Sequence, residues 1–392
     1  MRKKGFWPKA IIANLAAILA IALVLAIFLL TPLGRLATKT LLLTSEVAPG
    51  FPIKPLKLIT PAPKMEEVEI KVGDKTTKAS LYRPQDQKSH PGVVINFGAT
   101  VVRNSGLVNE FSQSLSRSGF VVLVPESSDF LAGFVWTDSV ETMISSVEYL
   151  EKQDFVDKKR IGFVGFCVGA SVSIIAAEDE KIADKVSFIA AASPYFDLIS
   201  LSRDIITKQT EDSSGKNKAW TPADLSVMSV QKGFINFVPN EEERKLLSTH
   251  FLEEKNSGEN DINSFSSEAA YVYSFLSAGS WEKANEILGN LSENARKKLL
   301  ELSPGTKIAS LKAKLFILND KVDTFVPKIE GEKFAKSLSK EQIYFVEIDS
   351  FEHVSPKTRL TRWAAIKQLF HLGNYLYRVL SEVENGDNGE VF

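Results

Sequence analysis

The chain has 392 residues, 44% hydrophobic and 24% charged, which is enough to bury a sizeable core in one large domain with an insertion or in two domains. Its 47 Lys and Arg against 48 Asp and Glu leave a net charge of -1, so no global field favours nucleic acid or another polyanion. A single cysteine excludes an intramolecular disulfide framework and a cysteine-cluster metal site.

Residues 1–9 form a basic tail carrying Arg2, Lys3, Lys4 and Lys9. Residues 11–30, IIANLAAILAIALVLAIFLL, then run without a charge, a length matching the roughly 20 helical residues that cross hydrocarbon. This predicts an uncleaved transmembrane anchor over 10–31 rather than a secretory signal, whose apolar region usually spans about 7 to 15 residues. Only Arg35 and Lys39 follow closely. The positive-inside bias therefore places the N-terminus in the cytoplasm and the body of this single-pass membrane protein outside.

Residues 32–64 read as a Pro-rich linker, because Pro49, Pro52, Pro55, Pro61 and Pro63 oppose regular helix and favour extended backbone. EEVEIKV and TTKASLYRP alternate with period two around Gly73-Asp74, which predicts an antiparallel hairpin. Six apolar runs follow: GVVINF, FVVLVP, RIGFVGF, KVSFIAAAS, KLFILND and QIYFVEID. Helical patterns separate them at about 105–118, 137–152, 168–178 and 327–339, the alternation of a mostly parallel sheet with crossover helices on both faces. A last helix over about 359–382 should bury Leu360, Trp363, Ala364, Ile366, Leu369, Phe370 and Leu372, which recur at helical spacing.

The strands frame an α/β core over 65–200 and 305–383. Between its two parts, residues 201–304 are too long for a loop and carry helical patterns, so they predict a helical lid insertion. Within it, TKQTEDSSGKNKAW reads as a mobile loop. Tyr271, Tyr273 and Phe275 either line a pocket or form the insertion's own core, with the core the better reading. Residues 384–392 read as a flexible tail.

In VGFCVGA an apolar strand enters a tight turn between Gly165 and Gly169, and a helix of small residues follows. This is the context of a nucleophile elbow, with Cys167 as the nucleophile. The helix N-terminus favours a thiolate, and the backbone N–H of Val168 can receive an oxyanion. A lone cysteine is also often just a small buried hydrophobe. A thiolate mechanism further needs an imidazole and an orienting carboxylate, which in this fold follow the nucleophile in the order acid, histidine. Asp320 and Asp323 follow the strand KLFIL, and His353 follows the next strand. Asp323 is preferred because Val326-Pro327 resembles the end of this loop in many hydrolases, although either aspartate can instead cap a turn. Among four histidines, His90, His250 and His371 fall before a strand, in the insertion and inside the last helix, which leaves His353 at the catalytic edge. The second oxyanion donor is assigned to the N–H of Ala99, beside Gly98.

The turn Gly165 to Gly169, Asp323 with its Val-Pro ending, and His353 together resemble the dienelactone hydrolase group of α/β-hydrolases over about residues 66–382. The resemblance implies an α/β-hydrolase fold, a Cys167, Asp323, His353 triad and an acyl-enzyme formed from a small-molecule ester or lactone. It implies no metal or organic cofactor and does not give the oligomeric state. The anchor and the insertion depart from the compact, soluble members of that group, so dienelactone itself is not the expected substrate. Two alternatives remain open. The elbow also resembles that of poly(hydroxyalkanoate) synthases, which would make the protein an acyltransferase, and a hydrolase scaffold can serve as an inactive binding protein.

Overall fold

The computed structural model describes residues 6–48, 53–253, 264–349, 351–352, 355–356 and 362–385. Phe6–Leu30 form one helix, α1. Pro32–Val47 form a second, α2, and Pro55–Ile59 a short third, α3. The expected extended linker is therefore corrected over most of its described length. Pro32 sits in the first turn of α2, where a missing N–H costs nothing, and Thr31 caps the helix by accepting from Gly34 N. Leu36 and Leu43 are buried in a cluster shared with the central sheet and the last helix, so α2 packs on the body rather than standing off it.

Strands β1 (Lys64–Val72) and β2 (Lys75–Arg83) pair antiparallel around the Gly73 turn as expected. β3 (His90–Asn96), β4 (Val121–Pro125), β5 (Val156–Phe166) and β6 (Val186–Ala192) continue the sheet, and the short β7 (Gln209–Glu211) and β8 (Asn217–Ala219) form a separate hairpin. β9 (Lys314–Asp320) and β10 (Ile343–Ile348) complete the sheet, in the order β1-β2-β4-β3-β5-β6-β9-β10. From β4 onward every neighbouring pair is parallel. All of those C-terminal strand ends consequently share one edge, where open α/β sheets present ligands.

The strands read as apolar runs because both faces are covered. On one face α4 (Gly106–Arg117) joins α2. The other face carries α6 (Thr137–Glu151) and α7 (Val168–Ala177), with the short α5 (Ser128–Ala132) before them. Between β6 and β9 the chain leaves the sheet, and the described residues there form six α-helices: α8 (Leu198–Thr207), α9 (Asp224–Ile235), α10 (Glu241–Phe251), α11 (Ser267–Leu276), α12 (Trp281–Gly289) and α13 (Glu293–Glu301). Asn240, Ser266, Ser280 and Ser292 each cap a helix start with a side-chain oxygen, so the sequence itself punctuates the insertion. This unit has its own apolar cluster, in which Phe275 stacks on Phe234 at 4.3 Å. Tyr271 donates to Ile287 O, and Tyr273 packs against the same cluster. The expected mobile loop of the insertion is in fact largely the β7–β8 hairpin.

After β9 come α14 (Lys328–Ser337) and, beyond β10, α15 (Arg362–Asn385) on the α2 face. Leu372 is buried as expected, but Trp363, Ile366 and Phe370 are exposed by 82%, 57% and 74%. The helical period was right and the degree of burial was not: only the C-terminal half of α15 lies over the sheet. Leu360 lies outside the described residues. So does most of the tail, beyond Asn385.

Among the described residues no helix is long and apolar enough to cross a membrane. The side chains at positions 6–10, 12, 16, 21, 24 and 25 of α1 lie outside the described residues, and the sequence of α1 is uncharged from Ala10 to Leu30.

One buried acid generates a pH dependence of stability. Glu178, at the C-terminal end of α7, has no partner for its Oε1 among the described residues, and burial pushes its pKa up to about 9. A carboxyl raised in the folded state contributes stability that is intact below its unfolded pKa and is lost as pH rises through the folded value. Denaturation free energy is expected to fall between the ordinary glutamate value of 4.5 and about 9, by up to about 1.4 kcal/mol per pH unit. Glu178→Gln should flatten that fall in urea titrations across this range; an unchanged slope would assign it to another group.

Candidate active site

Cys167 follows the last residue of β5 and precedes the first residue of α7, with φ 54° and ψ -135°. A non-glycine residue in this region is strained, and such strain persists only where the surroundings impose it. Here they do. Cys167 N donates to Ala192 O at 2.8 Å, and Ala170 N donates to Cys167 O at 2.9 Å, fixing the turn from both sides. A Cβ on Gly165 would lie 2.4 Å from Ala170 Cα, and one on Gly169 would lie 2.6 Å from Asn96 O and 2.7 Å from Gly98 N. Glycine at both positions is thus a packing requirement, because the obstructing atoms belong to backbone.

Thr100 and Ser193 also have positive φ, at 65° and 50°. With Cys167 they account for three of the four non-glycine residues of this kind among the described residues, and all three follow C-terminal strand ends. Val168 opens α7, where a first-turn N–H has no acceptor within the helix. Ala99 lies beyond β3 and lines the same cavity as Cys167 and Val168. Its loop is held from below by Arg103, which is buried and donates to Glu126, Glu67 and Ser80. Thr100 N adds a bond to Phe130 O at 2.7 Å.

The cavity has a volume of about 220 Å³ and is walled mainly by apolar side chains. Phe97 and Val135 come from the sheet side, while Leu201, Val230 and Phe234 come from the insertion. Cys167 and Val168 pack directly against the insertion's apolar cluster. Beside them Tyr195 is fully buried: Ser171 Oγ donates to its carbonyl at 2.9 Å and its own hydroxyl donates to Leu302 O at 2.9 Å. Burial, with a smaller contribution from Cys167, drives the Tyr195 pKa upward, so the hydroxyl stays a neutral donor.

Asp323 follows β9 and is buried; its Oδ1 accepts from Phe325 N at 2.7 Å and Val326 N at 3.0 Å. Phe325 and Val326 line the cavity, which puts Asp323 at its wall. Asp320 is also buried, ends β9 and accepts from Val322 N at 3.1 Å. His353 lies outside the described residues, between the paired segments β11 (Phe351–Glu352) and β12 (Ser355–Pro356). The structure thus brings together Cys167, Val168, Ala99 and the Asp323 loop. Among the described residues no cluster of His, Cys, Asp and Glu suited to a metal ion occurs.

Two anchors of this arrangement carry no sequence motif. Arg103 is an ordinary loop arginine until its partners on β1, β2 and the loop after β4 are known. Trp220 Nε1 donates to Asp323 O at 2.9 Å, Ala223 N to Thr324 O at 2.7 Å and Ser226 Oγ to Phe325 O at 3.2 Å. The insertion is therefore hydrogen-bonded to the acid loop at three successive residues.

A strained residue at the end of a central parallel strand, pinned between two close-packed glycines and facing a cavity at the C-terminal sheet edge, decides the fold class. The fold is that of an α/β-hydrolase. The family model of the dienelactone hydrolase family matches residues 134–211, which contain this turn. Among solved structures the chain is similar to a puromycin-hydrolyzing peptidase of Mycobacterium tuberculosis, at 13% identity and TM-score 0.50 over 84% of this chain and 40% of that one. It thus spans about two fifths of that peptidase's length. It is also similar to Est1E from Butyrivibrio proteoclasticus, at 12% identity and TM-score 0.46 over 81% and 98% of the two chains. A hyperthermophilic esterase from the archaeon Pyrobaculum calidifontis gives 13% identity and TM-score 0.46 over 90% and 89%. No curated protein matches the sequence.

The glycine contacts make the turn's tolerance measurable. Gly169→Ala should push the Asn96–Gly98 backbone away from α7 and cost about 1–3 kcal/mol, seen as a lower thermal unfolding midpoint and altered iodoacetamide labelling of Cys167. A variant with wild-type midpoint and labelling would show that the turn is not held by this contact.

Proposed function

We propose that the protein is a membrane-anchored hydrolase that cleaves a carboxylic ester or lactone through Cys167, His353 and Asp323. The observation that carries this reading is the strained Cys167, placed at the N-terminus of α7 and at the wall of an apolar cavity. The cavity accepts an uncharged acyl or alcohol group, and the match to the dienelactone hydrolase family over residues 134–211 agrees with ester chemistry.

In the proposed reaction the Cys167 Sγ attacks the carbonyl carbon as His353 takes the thiol proton. The resulting oxyanion is received by the N–H groups of Val168 and Ala99. Collapse breaks the carbon–oxygen bond, and His353 returns the proton to the leaving alkoxide, which leaves a thioester acyl-enzyme. Water then attacks this thioester, its proton passing to His353, and breakage of the carbon–sulfur bond releases the acid and restores the thiol. Asp323 orients the imidazole and offsets its transient charge; its position beside Phe325 and Val326 favours it over Asp320. The insertion serves as a lid, because Leu201, Val230 and Phe234 wall the cavity on the side away from the sheet.

The anchor is α1, which at 25 residues and about 1.5 Å per residue is long enough to span hydrocarbon. Its described apolar side chains, including Ile11, Leu15, Leu19, Leu23 and Leu30, are exposed, as expected for a helix whose solvent is lipid. With Arg2, Lys3, Lys4 and Lys9 before it, the N-terminus is cytoplasmic and the hydrolase body lies on the other side.

A panel of short-chain esters and lactones tests the chemistry. Cys167→Ala and His353→Ala should each lower kcat/KM by about a thousandfold or more, and denaturing mass spectrometry of a quenched wild-type reaction should show one acyl adduct on Cys167. Wild-type hydrolysis by the alanine variants would overturn the mechanism, and product transferred to a hydroxyacyl acceptor instead of water would make the protein an acyltransferase. For topology, protease added to intact cells should degrade the body and spare a tag placed before Met1; the reverse pattern would invert the assigned orientation.

A further inference from the structure

A second, larger cavity lies on the opposite side of the elbow. It has a volume of about 500 Å³ and runs between the sheet and the helices α2, α4 and α15, within the range that binds small organic ligands. Leu43, Phe120, Phe188, Leu376 and Val379 are among its walls, so its interior is hydrocarbon-like. An apolar pocket of this size offers dispersion contacts to a hydrocarbon ligand that water does not match.

Three features define what fits there. The polar side chains are grouped near the α2–α3 junction. Glu46 is buried and accepts from Leu56 N at 2.7 Å, Lys54 Nζ donates to Ser45 O at 3.2 Å, and the half-exposed Lys57 is 3.6 Å from Glu110. A ligand with an apolar tail and a polar end matches this distribution. Next, Phe97 and Val101 line both this cavity and the one containing Cys167, and Phe97 is stacked on Phe166 at 5.1 Å with Phe111 edge-on to both. The two spaces are therefore separated by a wall about one side chain thick. Finally, the roof of the larger cavity is α2, and the other end of α2 adjoins the long apolar α1, where a Cβ on Gly34 would overlap Phe28 O.

We infer that this cavity binds a single long acyl chain with its polar end at the α2–α3 junction, as a site separate from the one at Cys167. The cavity alone carries this assignment, independently of the chemistry proposed at Cys167.

Binding can be read without turnover. Full-length Cys167→Ala protein would be reconstituted in phosphatidylcholine vesicles and irradiated with a diazirine-tagged C16 tail, supplied in one arm as phospholipid and in the other as free fatty acid. Cross-links are expected on peptides from α2, β6 and α15 that line the cavity, and the arm that labels them identifies whether the tail arrives from the bilayer or from solution. Ala190→Phe and Leu376→Trp each fill part of the space and should reduce this labelling about tenfold or more, since loss of even two buried methylenes changes affinity by about that factor. Unaltered thermal midpoints would show that at least one of the two remains folded. Absence of cavity cross-links in both arms, or undiminished labelling in a folded filling variant, overturns the tail site while leaving short-ester hydrolysis as a separate result. Cavity labelling in a protein whose wild type hydrolyses no ester would still uphold the acyl-chain site.

Discussion

The strained backbone of Cys167 is the constraint on which the rest of the site depends. A φ of 54° at a residue with a side chain is unfavourable by itself, and it is maintained because β5 delivers the chain and α7 removes it with almost no space between them. Gly165 lets α7 approach the strand end and Gly169 lets it approach the β3 loop. The bonds to Ala192 O and from Ala170 N then close the turn within the sheet. Relaxing any of these would let the thiol withdraw from the cavity and move the Val168 N–H with it. Since Gly98 also abuts Phe166 O and Gly169 N, the turn sets the position of the Ala99 segment too. One packing event therefore places the proposed nucleophile and both proposed oxyanion donors.

The insertion is bound to this centre by more than apolar contact. Its Trp220, Ala223 and Ser226 bond to three consecutive residues of the acid loop, Asp323, Thr324 and Phe325. Phe325 and Val326 in turn wall the cavity. Movement of α9 must either carry the acid loop with it or break three hydrogen bonds, each worth on the order of 1 kcal/mol net. The position of the insertion and that of the Asp323 loop are consequently coupled.

The sheet was legible in the sequence because strands covered on both faces have no choice but to be apolar throughout: GVVINF, RIGFVGF and KLFILND each became a strand at its expected place. The elbow was legible for a related reason, since a helix can pack so closely on a strand end only with glycine at both flanks. What could not be read was set by partners far away in sequence. Arg103 has no local pattern and acquires its role from Glu67, Ser80 and Glu126. Trp220 ended a stretch whose polar composition suggested mobility, yet most of the stretch pairs as a hairpin and Trp220 bonds to a residue 103 positions on. Periodicity gave α15 its length but not its burial, because Trp363, Ile366 and Phe370 extend past the sheet that buries Leu372.

The same distinction explains α2, the largest departure from expectation. Pro49, Pro52, Pro55, Pro61 and Pro63 were read as opposing helix across 32–64, but all of them follow the end of α2, and Pro32 in its first turn initiates the helix. A flexible stalk would leave a catalytic body free to tumble away from the bilayer. Instead, α2 is buried along Leu36 and Leu43 in the same cluster as Tyr375, Val379 and Leu380, and Thr44 lies within 3.6 Å of where a side chain on Gly373 would begin. The proposed anchor is thereby joined to the body through a rigid packed helix, which limits how the body can turn relative to α1. With α1 in a bilayer, as proposed, that restriction would hold the cavity beneath α2 at a fixed offset from the membrane surface, so that an acyl chain leaving the bilayer would meet it without an orientational search.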